Sequence, residues 1–440
     1  MRRRLALLLV VAMVGVGWPA GTTAGSTDAV VAATLDNGLR VLLLEDRRSP
    51  IVTVQTWYRV GSRNEARGAT GIAHFLEHLM FRGTAKHGPG VFARLVERNG
   101  GQDNAFTSQD VTSYFVNIAA DRLDLVLELE ADRMHNLVLD PKIIDAERQV
   151  VIEERRTRTE DDPGGFLGEE VSALAFRAHP YGQPIIGWMG DITRITPEEI
   201  GAFYRTYYVP NNALLVVVGD FKAADVLAKV KATFGSIPRG AAPPAVTAVE
   251  PVQNGERRVL VYKQAELPIV YLGYPVPNQQ SPDAAALEVL SVVLAAGRSS
   301  RLYRDLIHER QLALEAGGDY SYFALDPNLF WFWATPLPGQ TAETLEKELL
   351  GHMERLRREP ISDVELARAK NQIEASFVFQ EDSIYRRASL LARFELIGGY
   401  ALKDTYLDVI RAVTPADLQR VASAYFQDDK KNVGILLPKP

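Results

Sequence analysis

The chain has 440 residues, more than one ordinary hydrophobic core serves, and at roughly 150 residues per domain it divides into two or three. A net charge of −6, from 49 basic and 55 acidic side chains, offers no basic stripe to a phosphate backbone and excludes nucleic acid as an expected partner. The chain has no cysteine, so disulfides are excluded, and so is lipid attachment through an N-terminal cysteine.

In chain order, the first segment is MRRRLALLLVVAMVGVGWPAGTTAGST. Three arginines, a 14-residue apolar run from Leu5 to Trp18 and then small residues make a secretory signal. The run is short of the ~20 residues that span a bilayer. Residues 1–24 are therefore expected to be removed, leaving a periplasmic or secreted protein with no stable membrane span. Strand-like runs follow, RVLLLE at 40–45 and IVTVQTWYRV at 51–60, rich in β-branched residues.

The next segment, HFLEH, carries His74, Glu77 and His78. On a helix the two histidines lie about 40° apart on one face, one turn from each other, where both imidazoles can grip one cation at ~2.0–2.1 Å. Glu77 projects toward the same edge and can take a proton from a water that the metal activates. The string is the inverted form of a familiar zinc-protease motif. By itself it is equally the pattern of polar decoration on an amphipathic helix.

NAFTSQDVTSYF, residues 104–115, alternates in part and reads as a strand, and AADRLDLVLELEADRMHNL, residues 119–137, has apolar positions at helical spacing. DAERQVVIEERRTR, residues 145–158, places Glu147, Glu153 and Glu154 on one helix. A catalytic zinc takes three protein groups, so a third ligand is needed. Glu147 and Glu154 are seven apart on one face, while Glu153 points about 100° from Glu154, so that face holds a possible ligand and a possible supporting carboxylate. Spacing alone does not choose between them, or between a site and a solvated charged helix. Arg155, Arg156 and Arg158 read as solvating the helix or pairing with nearby acids. A further strand, NALLVVVGDF, closes this stretch at 212–221.

Residues 238–256, PRGAAPPAVTAVEPVQNGE, lack periodicity and read as an exposed connector. Beyond them the signposts recur: Asn37 matches Asn254 at an offset of 217, Pro50 matches Pro268 at 218, and Met134 matches Met353 at 219. Such constancy predicts two copies of one unit, 34–237 and 257–440. Strands and helices in blocks, with no Gly-rich phosphate loop, favour α+β over a dinucleotide fold. The offset carries His74, Glu77 and His78 onto Val292, Ala295 and Ala296, and Glu154 onto Ile373, so the second copy is expected to be metal-free. Its aromatic run Phe330, Trp331, Phe332 and Trp333 reads as strand core.

HFLEHLMFRGT, followed 76 residues after His78 by Glu154 within ERQVVIEE, resembles the pitrilysin, insulysin and mitochondrial processing peptidase family of inverted-motif zinc proteases. YRVGSRNE, GGQDNAFTSQDVTSYF, HPYGQPIIG and NNALLVVVGDF extend the likeness over the mature chain. The resemblance implies zinc bound by His74, His78 and Glu154, Glu77 as general base and Glu147 as a supporting acid. It also implies two homologous units, each a mainly antiparallel sheet packed with helices, which together form a clamshell half. A sheet-edge strand at Asn104, Ala105 and Phe106 would receive the peptide as an added strand.

One departure stands out. Active single-chain relatives place an arginine and, seven residues later, a tyrosine in the second copy, where this chain has Ile307 and Leu314 in LIHERQLAL. The expectation is a zinc endopeptidase for short or unfolded peptides, partnered by a homologous subunit lacking the zinc motif or by a second copy of itself. The alternative is a catalytically silent structural or peptide-binding subunit.

Overall fold

The computed structural model describes residues 29–439, so the expected signal at 1–24 lies outside the described residues. Two sheets organise it. The first holds β1 (Val31–Thr34), β2 (Arg40–Glu45), β3 (Ile51–Tyr58), β4 (Gln102–Thr107), β5 (Thr112–Ala119) and β6 (Ala213–Gly219), in the order β1-β2-β6-β3-β5-β4. The second holds β7 (Arg257–Lys263), β8 (Ile269–Val276), β9 (Ala313–Asp319), β10 (Asn328–Pro336) and β11 (Asn432–Pro438), in the order β7-β11-β8-β10-β9. Apart from β1 the two orders are the same. Each sheet has one parallel pair, β2 with β6 and β7 with β11, and is otherwise antiparallel. The fold is α+β. Among the described residues no helix is long and apolar enough to cross a membrane.

The NAFTSQDVTSYF segment, expected as one strand, is a hairpin. β4 ends at Thr107, which pairs with Thr112 at the start of β5, and Ser108 to Val111 make the turn. The Ser108 hydroxyl oxygen accepts from the backbone N–H groups of Asp110 and Val111, the local bonding that suits Ser and Asp to turns. β4 is left as the sheet's outermost strand, one edge unpaired among the described residues.

Strands such as LLVVV are apolar without alternation because both faces of the sheet are covered. One face, with Val41, Leu43, Val52, Val54, Leu215 and Val217, packs against helices of its own half, Leu123–Asn136 and Ala223–Phe234 among them. Leu42, Leu44, Leu214, Val216 and Val218 on the other face pack against Ala388, Leu391 and Ala392 of helix Ile384–Ile397, which comes from the second half. Arg387 of that helix meets Asp46 at 2.6 Å, and Arg40 meets Glu395 at 2.6 Å. The reverse contact also exists: helix Pro163–Ala175 of the first half lays Leu167 and Val171 on Val261 and Leu436 of the second sheet.

Gly434, in β11, permits that second contact, because a Cβ there would stand 2.2 Å from Val171 Cγ2. Gly434→Ala should therefore destabilise the protein by about 1–3 kcal/mol through overpacking, measured as a lowered denaturant midpoint. The aromatic run divides by strand alternation. Phe330 and Phe332 are core, whereas Trp331 packs under helix Pro163–Ala175 and Trp333 donates its indole N–H to Glu315 on the surface.

Candidate metal centre

Helix Ile72–Leu79 starts where the chain turns sharply. Gly71 has φ 89°, and a Cβ on it would meet Ile186 O at 2.4 Å, so two backbone segments can touch only with glycine here. Buried Glu65 takes the role of a cap, accepting from the N–H groups of Gly71 at 2.8 Å and Ala73 at 2.9 Å. The helix then presents His74, Glu77 and His78 toward β4 and toward helix Pro141–Arg155, which opens on the Asp140 cap and a proline in its first turn.

The crossing of these two helices brings His74, His78 and Glu154 together, one ligand atom from each lying within 4.8 Å of the others. His78 Nε2 is 3.1 Å and His74 Nε2 is 3.7 Å from Glu154 Oε2. Two imidazole nitrogens and a carboxylate oxygen so spaced fit a divalent cation with room for further ligands. The His74 Nδ1, though buried, has no hydrogen-bond partner, so the ring's polar contact is on the side that faces Glu154.

Glu147 lies one turn-pair back on the same face and contacts His78 Nδ1 at 2.8 Å, while Arg82 holds its other oxygen at 2.5 Å. That is the arrangement by which a carboxylate orients a ligating imidazole. Glu153, the third candidate from the sequence, points to solvent and pairs with Arg156 at 3.3 Å. Arg158 reaches back to Glu154 at 2.7 Å, and Arg155 is buried against Glu169 at 2.8 Å. All of the predicted site residues, His74, Glu77, His78, Asn104, Ala105, Phe106, Glu147 and Glu154, line one cavity of about 780 Å³.

The electrostatics follow from burial and partners. Burial lowers the pKa of His74, and the neighbouring His78 ring lowers it further. Burial also opposes a charge on His78, but hydrogen bonds to Glu147 and Glu154 outweigh it and push the imidazole up to about 9. Burial raises Glu77 above the usual carboxylate range, partly offset by the Thr107 hydroxyl, which donates to its Oε2 at 2.6 Å. For Glu147 the effect of burial is overcome by His78 and Arg82, which leave its carboxyl below the ordinary value. Glu154 is lowered, first by the hydrogen bond from His78.

Thr107, Arg82 and Glu65 were not singled out from the sequence. Glu65 lies six residues before Gly71, too far for a local capping pattern to mark it in the sequence. In the second half, Val292, Ala296 and Ile373 line a separate cavity and provide no metal-binding atom. Ile307 packs on the core there, Leu314 is exposed on β9, Arg310 pairs with Glu348 at 2.5 Å, and the Tyr320 hydroxyl donates to Pro277 O at 2.8 Å.

The sequence profile of the insulinase family, peptidase family M16, matches residues 40–188, and that of the peptidase M16 inactive domain matches 194–373. The chain is 36% identical over 411 residues to the zinc protease PqqE of Helicobacter pylori, covering 92% of each. A crystal structure of a protease from Helicobacter pylori superposes with a TM-score of 0.91 at 36% identity, over 93% of this chain and 99% of that one. The periplasmic protease PqqL of Escherichia coli shares the fold at a TM-score of 0.75 and 19% identity, with 93% of this chain matching 47% of that one. Fold, paired sheets and clustered donors thus have the form of this class of peptidase. The chain belongs to the insulinase family of peptidases, M16.

Proposed function

We propose that this protein is a zinc-dependent endopeptidase acting on short or unfolded peptides, exported by its N-terminal segment. We further propose that it is the zinc-bearing member of a two-subunit enzyme. The observation that carries the reading is the meeting of His74, His78 and Glu154 beside a half-buried carboxylate, Glu77, and the outer edge of β4. The naming of relatives as zinc proteases supports zinc as the ion, with cobalt or manganese as chemically acceptable substitutes.

In this reading His74, His78 and Glu154 hold the ion. Zinc in such a site supplies a Lewis acid that polarises a carbonyl and brings the pKa of water toward ~7. Glu77 takes the proton from the attacking water at its carboxylate and then delivers it to the leaving amine. Thr107, hydrogen-bonded to Glu77 Oε2, fixes the carboxylate's orientation. Glu147 holds His78 through Nδ1 so that Nε2 faces the ion, and Glu147→Gln should weaken metal binding by about 10–100-fold in a chelator-competition titration. Asn104, Ala105 and Phe106 on β4 pair with the peptide backbone, which selects an extended conformation more than a side-chain sequence.

Ile307 and Leu314 are the reason for the partner. Groups that stabilise a developing oxyanion are worth roughly 10²–10³ in rate per donor, and a homologous subunit facing this one would supply them. A chain containing a second stretch of similar length, as in the Escherichia coli structure, has space for both halves. Those same two residues favour the second reading, a silent subunit that binds peptides without cutting them.

Hydrolysis of a fluorogenic peptide, with and without chelator and with and without a co-expressed homologue lacking HxxEH, separates the readings. Chelator-sensitive turnover that rises strongly with the partner is expected. Full activity of the chain alone would remove the need for a partner, and no turnover under any condition would leave the silent subunit.

A further inference from the structure

Phe106, on the peptide-receiving strand, lines three cavities: the metal cavity, a second of about 600 Å³ between the halves, and a groove of about 570 Å³. The groove lies between Trp57 and Phe106 on one side and helices Asp363–Gln380 and Ile384–Ile397 on the other. Its charged lining is Arg386 and Arg393, and no carboxylate lines it. Seven residues apart, the two arginines share a helix face. They differ from the other charged groups of that helix, since Arg387 is paired with Asp46 and Glu395 with Arg40.

Among the described residues neither Arg386 nor Arg393 has an ion pair, in a chain whose net charge is −6. Arg393 rests on the Phe323 ring, 5.7 Å from its centroid, and opens to the groove. Surrounding protein atoms disfavour its charge and lower its pKa, with only the Tyr385 hydroxyl acting in the other direction. An exposed guanidinium at the groove without an anion can engage a carboxylate through charge-assisted hydrogen bonds. The groove's remaining polar lining, Gln380 and Ser389 included, is neutral, and the carboxylates near Arg393, those of Asp110, Glu288 and Asp319, line the adjoining cavity between the halves.

We propose that this groove is a carboxylate subsite: a peptide running along β4 and past Phe106 places an acidic group against Arg393, with Arg386 beside it, making the enzyme selective for peptides acidic at that position. The proposal rests on the peptidase reading above and names part of its substrate class. The carboxylate belongs either to an aspartate or glutamate side chain or to the peptide's C-terminus, and both present the planar pair of oxygens that a guanidinium engages bidentately.

The test uses matched peptides with Glu or Gln at successive positions on either side of the cleaved bond, each with a free or amidated C-terminus. They are measured by kcat/KM on the full protein and its partner, and by Kd on Glu77→Gln, which needs no turnover. A preference of roughly 10–100-fold for one acidic placement is expected, the range of a charge-assisted contact. The preference should fall to about one in Arg393→Gln, be partly restored in Arg393→Lys, and turn toward a lysine peptide in Arg393→Glu. Sensitivity to amidation assigns the C-terminal carboxylate, and sensitivity to Glu position assigns a side chain. Discrimination below about twofold everywhere, or one that survives Arg393→Gln, overturns the proposal. If no peptide is hydrolysed the peptidase reading fails on its own, and the binding ratios on Glu77→Gln still decide the subsite.

Discussion

Replacing Glu77 with glutamine is expected to reduce peptide hydrolysis by roughly 10²–10⁴-fold while metal content stays at the wild-type level. Glutamine keeps the shape and can still accept the Thr107 hydroxyl, but it cannot take a proton. Metal analysis beside a progress curve checks both halves of the statement, and loss of the ion along with activity would place Glu77 among the ligands instead. The wild-type pH profile should show the same group. Burial raises the pKa of Glu77, and a base works in its deprotonated form. Activity is therefore lost as pH falls through the pKa of Glu77, whose position is set by burial, which raises it, against the charge of the bound ion, which lowers it.

His78→Ala should abolish stoichiometric metal binding and with it turnover, because it removes a donor and also takes from Glu147 and Glu154 the imidazole that each contacts, leaving them held by Arg82 and Arg158 alone. Native mass spectrometry would read one ion per wild-type chain and none in the variant. The position of His78 between two carboxylates also sets how the ion enters. With its pKa pushed up to about 9, the ring carries a proton at pH 7 that a cation must displace. Metal affinity should then rise with pH, by up to about tenfold per unit below 9, and level off above it. An affinity that does not change from pH 6 to 8 would contradict this.

How much of the site could be read in the sequence depended on how far apart its parts lie along the chain. His74 and His78 are a single helical turn, so their spacing alone places them together. Glu154 lies 76 residues beyond His78, and its choice over Glu147 and Glu153 came from family resemblance. The crossing of the two helices gives the physical reason: Glu154 meets both imidazoles, Glu147 backs one of them, and Glu153 faces water.

Thr107 was invisible because its approach to Glu77 depends on where the β4–β5 turn falls, and the segment reads as one strand until Ser108 and Asp110 are recognised as turn residues. The constant offset foretold the repeated strand order. It said nothing of the covering of each sheet by a helix from the other half, since contacts such as Asp46 with Arg387 join residues 341 apart and leave no periodic trace. The unpaired arginines are a similar case. Arg386 and Arg393 look like ordinary surface charges until the groove's other lining is known to hold no acid.

The mutual covering by helices Pro163–Ala175 and Ile384–Ile397 gives the molecule the geometry of a domain-swapped dimer whose two chains are joined through residues 238–256. Neither half is then a self-sufficient folding unit. Produced alone, the first would present Leu42, Leu44, Val216 and Val218 to water, and the second would expose Val261 and Leu436. A nick in the joining segment should leave the pieces clasped, whereas their separate synthesis should yield insoluble fragments that recover only when mixed.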